Sequence, residues 1–270
     1  MVFDQISGYW TEMVDAHSTE KQVSFVLRHL DAEGLVLDLC CGNGRHTIPL
    51  CKAGYNIVGL DASPRLLQLA KRKAAKAGAG LALIKADMRF LPFRLEIFAA
   101  VLSLDTSFGY LSSEGEDLRS LTELSRTLVD QGVLLLDVFN NERERRHHGK
   151  KVGFEFWNFV FCLLQKFPWF SAFFRWREFT SFFLLQKRSM EAKTGLMRDL
   201  WAFRDKKTAR ITIVEHVVRL YASSRLKTLL GVAGLEILGI FGSYEEEEYW
   251  EESGRLIIYA EKTISLRKQE

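Results

Sequence analysis

Residues 36–47 of the chain, Val36-Leu37-Asp38-Leu39-Cys40-Cys41-Gly42-Asn43-Gly44-Arg45-His46-Thr47, carry the pattern best suited to chemistry. A short apolar run ends in an acid, then a glycine turn, then the start of a helix. Gly42 and Gly44 adopt positive φ at little cost and let a ligand approach the backbone. The amides of the turn and the helix N-terminus then face a polar or anionic group. Asp61 closes the next apolar run, where a carboxylate is placed to accept from both hydroxyls of a ribose. This geometry serves a dinucleotide or an adenosyl ligand. A dinucleotide fingerprint asks for a third small residue at position 47, and Thr47 stands there.

The surrounding pattern supplies the elements that must hold these residues. Two helices are expected over residues 3–15 and 19–31, the second with Val23, Phe25, Val26 and Leu30 on one face. Apolar runs at Leu35–Leu39, Asn56–Leu60, Leu81–Lys85, Ala99–Leu104 and Val133–Val138 read as strands, and helical stretches separate them. One helix spans Arg45–Ala53. Another has Ser63 as N-cap, Pro64 at its first position and Gly78 just past its end. A third opens on a Ser113–Glu116 capping box and carries Leu118, Leu121, Leu124 and Leu128 on one side. Strand–helix alternation of this kind predicts a doubly wound, Rossmann-like α/β fold, a mostly parallel seven-stranded sheet with helices on both faces.

The alternation breaks after residue 140. Residues 152–185 hold eleven of the 20 Phe and three of the 6 Trp, too many for an exposed loop. Leu196–Arg204 and Arg210–Leu220 read as antiparallel strands around a polar turn at Asp205–Thr208. A short helix with Leu226, Leu229, Leu230 and Ala233 ends at Gly234, and strands at Leu235–Phe241 and Arg255–Glu261 close the chain. The expected organisation is a core over 1–140, an inserted aromatic and antiparallel β region over 141–221, and a return to the core over 222–270.

Composition narrows the class. The chain has 270 residues, 47% hydrophobic and 26% charged, with a net charge of +3, too small to imply a nucleic-acid partner by itself. The basic run at 141–151 and the six Glu of 245–252 read as solvated segments. Cys40, Cys41, Cys51 and Cys162 show neither a disulfide framework nor metal-ligand spacing, so no metal site is expected. Reduced thiols, no signal peptide and no run of about 18 apolar residues point to a cytoplasmic protein without a membrane span.

The glycine turn and the acids that follow it resemble the nucleoside-binding region of class I S-adenosylmethionine-dependent methyltransferases. The likeness is close over residues 34–140. It extends loosely to 216–261, where His216-Val217-Val218-Arg219-Leu220-Tyr221 and Ala233-Gly234-Leu235 are similar to a small-molecule subgroup. It implies that Asp38, Gly42 and Gly44, with Cys40 and Asn43 in the same turn, hold the amino-acid end of S-adenosylmethionine. Cys40 stands where the family pattern often has its first glycine, so a slight adjustment of the turn is expected. The resemblance also gives Asp61 and Ala62 to the ribose, and Asp87 with the Met88 amide to the adenine. Leu104 opens the loop beside the methyl group, and Tyr9 and Trp10 on the first helix close over the cofactor. S-adenosylhomocysteine would be the product.

Methyl transfer from a sulfonium is an in-line displacement, so the enzyme chiefly positions the reactants and excludes water. A base is needed only when the acceptor arrives protonated. Asp105, Tyr110, His216 and Tyr221 are the candidates for a catalytic role, and Phe108, Tyr110, Arg219, Tyr221 and Tyr244 for acceptor contacts. His216 is the one candidate that titrates near neutral pH. After the fourth strand the chain reads Leu104-Asp105-Thr106-Ser107-Phe108, without the Pro-Pro-aromatic segment of base-nitrogen methyltransferases. A small-molecule acceptor, partly apolar, is therefore expected over a nucleic acid. The aromatics of 152–185, among them Phe154, Trp157, Trp169 and Trp176, serve as a packed satellite core, a homodimer interface, a lid, or a peripheral membrane contact. Two readings compete: a non-catalytic cofactor-binding partner subunit, and a nicotinamide-dependent oxidoreductase, against which Thr47 and the Asp87 element speak.

Overall fold

The computed structural model describes residues 2–14, 16–30, 33–148, 177–191 and 193–264. Two helices, α1 (Val2–Met13) and α2 (Ala16–His29), lead into β1 (Leu35–Leu39), α3 (Thr47–Lys52), β2 (Asn56–Asp61), α4 (Pro64–Ala77), β3 (Ala82–Lys85) and β4 (Phe98–Ser103). Then come α5 (Glu114–Thr127), β5 (Leu128–Phe139) and α6 (Asn141–His148). A separate set of strands follows: β6 (Arg177–Glu178), β7 (Phe182–Glu191), β8 (Leu196–Asp205) and β9 (Ile211–Arg219). The chain closes with α7 (Ser223–Val232), β10 (Leu235–Phe241) and β11 (Arg255–Lys262).

Seven strands form the main sheet in the order β10-β11-β5-β4-β1-β2-β3. The β4-β1-β2-β3 block and the β4–β5 pair are parallel, and β11 runs antiparallel between β5 and β10. Strands covered by helices on both faces must be apolar throughout. Accordingly Val36, Leu37, Ala100, Val101, Leu102 and Leu134 through Leu136 are fully buried. The strand order reverses direction between β1 and β4, and in open α/β sheets ligands bind in the crevice at that point.

The helix caps follow the local chemistry. Ser63 Oγ accepts from the Leu66 amide (3.1 Å), and Gly78 ends α4 at φ 67°. Ser113 Oγ accepts from the Glu116 amide (3.2 Å). The expected reciprocal half of that capping box is replaced. The Glu116 carboxylate accepts from the Ser112 amide (3.0 Å) and hydroxyl (2.6 Å) and pairs with Arg89 (2.6 Å). A neighbouring cation competed successfully for the acid.

The second sheet is antiparallel, in the order β6-β7-β8-β9. The long strand β7 was not foreseen, because its inner face turns from Phe182 and Leu184 to Gln186 and Arg188, which hides a period of two. Facing residues fall into columns: Leu184 with Phe203, Gln186 with Trp201 and Val214, Arg188 with Asp199 and His216. Helix α1 covers this face with its aromatic side. Tyr9 stacks on Phe203 (4.5 Å between ring centroids) and Trp10 on Trp201 (6.2 Å). Phe3 meets Tyr110 (5.5 Å) and His216 (6.1 Å). Thus α1 closes the space between the two sheets. Of the aromatic stretch, Phe179 and Phe182 join this cluster. Residues 152–176, with the expectations of a lid, interface or membrane contact placed on them, lie outside the described residues. Among the described residues no helix is long and apolar enough to cross a membrane.

Candidate active site

A cavity of about 740 Å³ opens where β1, β2, β3 and β4 end, between α1 and β9. Its cofactor-side wall is Cys40 through Asn43, Asp61, Ala62, Ala86 through Arg89 and Leu104; its far wall is Phe3, Trp10, Tyr110, Leu111, His216 and Val217. Arg45, Asp105, Arg198 and Glu215 add charge. The strands place the first group because each ends at the same edge of the sheet. The loop after β4 and the start of α1 bring the second group over it.

Asp61 ties the edge together. Its Oδ2 accepts from the Gly42 amide (2.9 Å) and its Oδ1 from the Ser63 amide (2.7 Å). It is 9% exposed, and burial raises its pKa above the ordinary carboxylate value. Each oxygen keeps a lone pair for a further donor. Gly42 sits at φ 57° with open space where a Cβ would stand. Asn43, 2% exposed, has its side-chain oxygen buried without a hydrogen-bond partner among the described residues. A carboxylate with spare acceptor capacity, an open glycine cradle and an orphaned amide oxygen on one wall fit a nucleoside carrying hydroxyl and ammonium donors. Cys40 holds φ 61° in the turn, a left-handed backbone that costs a non-glycine residue about 1–2 kcal/mol.

Asp38 lies beneath the turn and does not border the cavity. It is 1% exposed and accepts from Thr47 Oγ1 at 2.5 Å. The threonine that departs from a dinucleotide fingerprint is thus the partner of the strand's acid. Burial pushes Asp38 up to about 7. Between roughly pH 4 and 7 the folded chain holds a proton there that the unfolded chain has released, so this group's contribution to stability falls as pH rises through that window. Denaturant unfolding at pH 5 and pH 8 should show a smaller loss toward pH 8 for Asp38→Asn than for the parent chain; equal losses would refute the assignment.

Asp87 borders the cavity with its carboxylate held by Arg89, from the amide (2.9 Å), Nε (3.0 Å) and a terminal nitrogen (2.7 Å). These bonds hold its pKa below the ordinary value. Gly44 turns at φ 78° and packs on Ile48 and Ala70 behind the wall.

The loop after β4 is the most constrained part of the site. Asp105 and Thr106 both have left-handed backbones, φ 55° and 58°. Asp137, fully buried at the end of β5, accepts from the Asp105 amide (2.8 Å), from Tyr244 Oη and from Arg255 Nε (2.7 Å). Arg255 also reaches Thr106 Oγ1 (2.6 Å). Asp105 then pairs with Arg45 (2.7 Å), itself held by Gln22 (2.6 Å) and Thr19 (3.0 Å) of α2. Farther along, Gly109 (φ 95°) accepts from the Arg219 amide at 2.8 Å, and a Cβ on it would stand 2.3 Å from the Arg219 carbonyl oxygen. Gly109→Ala must therefore separate this loop from β9. We expect a loss of about 2–4 kcal/mol by denaturant unfolding; an unchanged midpoint would show that the contact is dispensable.

Several candidates sit elsewhere than at the cavity wall. Tyr9 is packed into the α1–second-sheet cluster. Phe108 is buried in the main core against Tyr221 (5.6 Å). Arg219 and Tyr221 both donate to the buried Asp117 of α5, at 2.8 and 2.6 Å. Tyr244 is spent on Asp137. Phe108, Arg219, Tyr221 and Tyr244 hold the loop that carries Tyr110. Tyr110 and His216 face each other at 5.8 Å. Burial raises the tyrosine's pKa and lowers the histidine's, so both are neutral at pH 7. Asp137, Arg255 and Arg45 were not singled out from the sequence. Among the described residues no cluster of His, Cys, Asp and Glu could hold a metal ion.

Comparison with known proteins agrees with this geometry. Residues 36–132 match the family described as methyltransferase domain. A glycine/sarcosine N-methyltransferase of Parasynechococcus marenigrum is 34% identical over 52% of this chain and 51% of its own length. The chain spans about half the length of the curated relatives it matches. Among solved structures, the CcbJ methyltransferase of Streptomyces caelestis superposes with a TM-score of 0.80 at 16% identity, covering 97% of this chain and 98% of that one. The amino pentose methyltransferase CalS10 of Micromonospora echinaspora, solved with bound S-adenosylmethionine, gives 0.64 at 19% identity over 95% of each. The glycine turn and the strand-end acids thus lie in the part of the chain that matches a methyltransferase domain, and the whole fold is shared with solved S-adenosylmethionine-dependent methyltransferases.

Proposed function

We propose that the chain transfers a methyl group from S-adenosylmethionine to a small-molecule acceptor with an apolar portion. The observation that carries this reading is the continuity of one cavity from the Gly42–Asp61 turn to the Phe3, Trp10, Tyr110 and His216 wall. When bound, the cofactor supplies a methyl group on a cationic sulfur. Asp61, Asn43, the Gly42 turn, Ala62, Met88 and Leu104 hold it, and Trp10 closes over it. Tyr110 and His216 line the place of the acceptor, and burial under α1 keeps water from the reacting atoms. The region 141–221 supplies the acceptor wall through β9, while 1–140 and 222–270 form the core. The names of relatives that act on glycine, sarcosine and an amino pentose support a compact amine as acceptor.

The test pairs binding with turnover. Calorimetry with S-adenosylhomocysteine should give micromolar binding. Transfer of radiolabelled methyl from S-adenosylmethionine should then be scored across a panel of amino acids, amino sugars and aryl amines, with tRNA as the contrasting acceptor. Labelled small molecules support the reading, and labelled tRNA alone overturns it. No heat from folded protein would remove the cofactor as well.

A further inference from the structure

His216 is buried, 6% exposed, on the inner face of β9 and borders the cavity. Its Nδ1 is buried with no hydrogen-bond partner among the described residues. Directly across the ladder on β8 stands Asp199, fully buried, on the same face of the sheet. Its carboxylate is used on one side only. Gln186 (2.6 Å) and Arg188 (2.9 and 3.2 Å) all donate to Oδ2, and Oδ1 has no partner among the described residues. An acceptor and a potential donor thus lie unsatisfied on paired residues, and a buried polar group without a partner destabilises the fold. One Nδ1–H to Oδ1 bond satisfies both. Such bonds are commonly long or misaligned before the acceptor is bound.

We propose that Asp199 and His216 act as a dyad that removes the proton of the methyl acceptor, with His216 Nε2 taking it and Asp199 as the positioning residue. The proposal rests on the methyltransferase reading of this cavity and deepens it. The acceptor it serves reaches the cavity with a proton on its nucleophilic nitrogen or oxygen. As that atom's lone pair bonds to the methyl carbon, the carbon–sulfur pair stays on sulfur and the proton passes to Nε2. The imidazolium so formed is stabilised by the Asp199 carboxylate, as a buried acid behind a catalytic histidine does elsewhere. The proton leaves to solvent through the cavity mouth.

The groups facing His216 are consistent with this part. From β7 comes Arg188, whose charge is shared between Asp199 and Glu144 of α6 (3.2 Å). From the loop after β4 comes the neutral Tyr110; from α1, the apolar Phe3. Trp201 packs edge-on at 4.5 Å, and Glu215 beside it on β9 is paired with Arg198 (3.4 Å). Asp199 is the carboxylate that favours the charged ring most.

The experiment follows the imidazole by 15N NMR of protein labelled at histidine, without cofactor, with His216→Gln to assign the signal. The parent chain should show the Nδ1–H tautomer, and Asp199→Asn should lower the titration midpoint of His216 by about one pH unit or more. A purely structural Asp199 would lower thermal stability and leave tautomer and titration unmoved, which overturns the dyad. Should Asp199→Asn not fold, an Nε2–H tautomer in the parent chain overturns it equally, and the Nδ1–H form supports it. Once the panel above yields an acceptor, the acidic limb of kcat/KM should move to lower pH in Asp199→Asn. Calorimetry with S-adenosylhomocysteine runs beside both. If the parent chain does not bind it, the methyltransferase reading fails whatever the imidazole shows; binding with an unmoved imidazole removes the dyad alone.

Discussion

Asp61→Ala should lower the affinity for S-adenosylhomocysteine about 100-fold or more, the largest binding effect expected of any single substitution here. Two effects act together. The carboxylate's remaining lone pairs are the acceptors assigned to the ribose, and bonds to a charged group contribute roughly 1.5–3 kcal/mol each; two such bonds correspond to a hundredfold at the least. The same oxygens hold the Gly42 and Ser63 amides at 2.9 and 2.7 Å, so their loss also frees the turn that forms the cofactor-side wall. Asp61→Asn keeps one acceptor oxygen and should fall between parent and alanine. Calorimetry decides, with a thermal melt to show that each variant is folded. Affinity of Asp61→Ala within threefold of the parent would mean that the nucleoside lies elsewhere.

The framework around this acid was legible from local signals. Apolar runs bounded by Gly and acids locate β1 to β4 to within a residue or two, since strands buried on both faces admit little else, whereas β5 begins at Leu128, five residues before the expected Val133. Ser63, Pro64 and Gly78 each do in α4 what their side chains or backbone freedom dictate. Hidden from the sequence were features that depend on two distant segments meeting. Strand β7 escaped because its inner face carries Gln186 and Arg188, and it takes Asp199 across the ladder and Glu144 of α6 to make burial of that arginine favourable. Thr47 was read as an obstacle to one ligand when it is the donor to Asp38. Arg219, Tyr221 and Tyr244 were placed against an acceptor because polar groups near a cleft suggest contact; each instead answers a buried carboxylate, Asp117 or Asp137. A signal for Asp137 was present. Val133–Val138 reads as an apolar strand, yet holds one acid, and an acid inside a doubly covered strand requires partners.

That acid sets the second large effect. Asp137→Ala should destabilise the chain by about 3–5 kcal/mol, because it leaves the Arg255 guanidinium uncompensated in the interior. It also strips partners from Tyr244 Oη and the Asp105 amide. For a chain of this size the melting temperature should fall by roughly 6–20 °C. The loss should not stay in the core. Asp105 and Thr106 hold left-handed backbones that cost of order 1–3 kcal/mol each and persist only while their surroundings dictate them. Released from Asp137, this loop can relax, and Asp105 leaves Arg45 at the cavity wall. Affinity for S-adenosylhomocysteine should therefore weaken even at temperatures where the variant is folded. Removing both charges separates the two consequences. In Asp137→Leu with Arg255→Met no ion is left unpaired, so much of the stability should return, while the loop still lacks its acceptor and binding stays weak. Recovery of binding together with stability would show that the network serves only to fold the chain; a melting temperature for Asp137→Ala within a degree or two of the parent would show that it does neither.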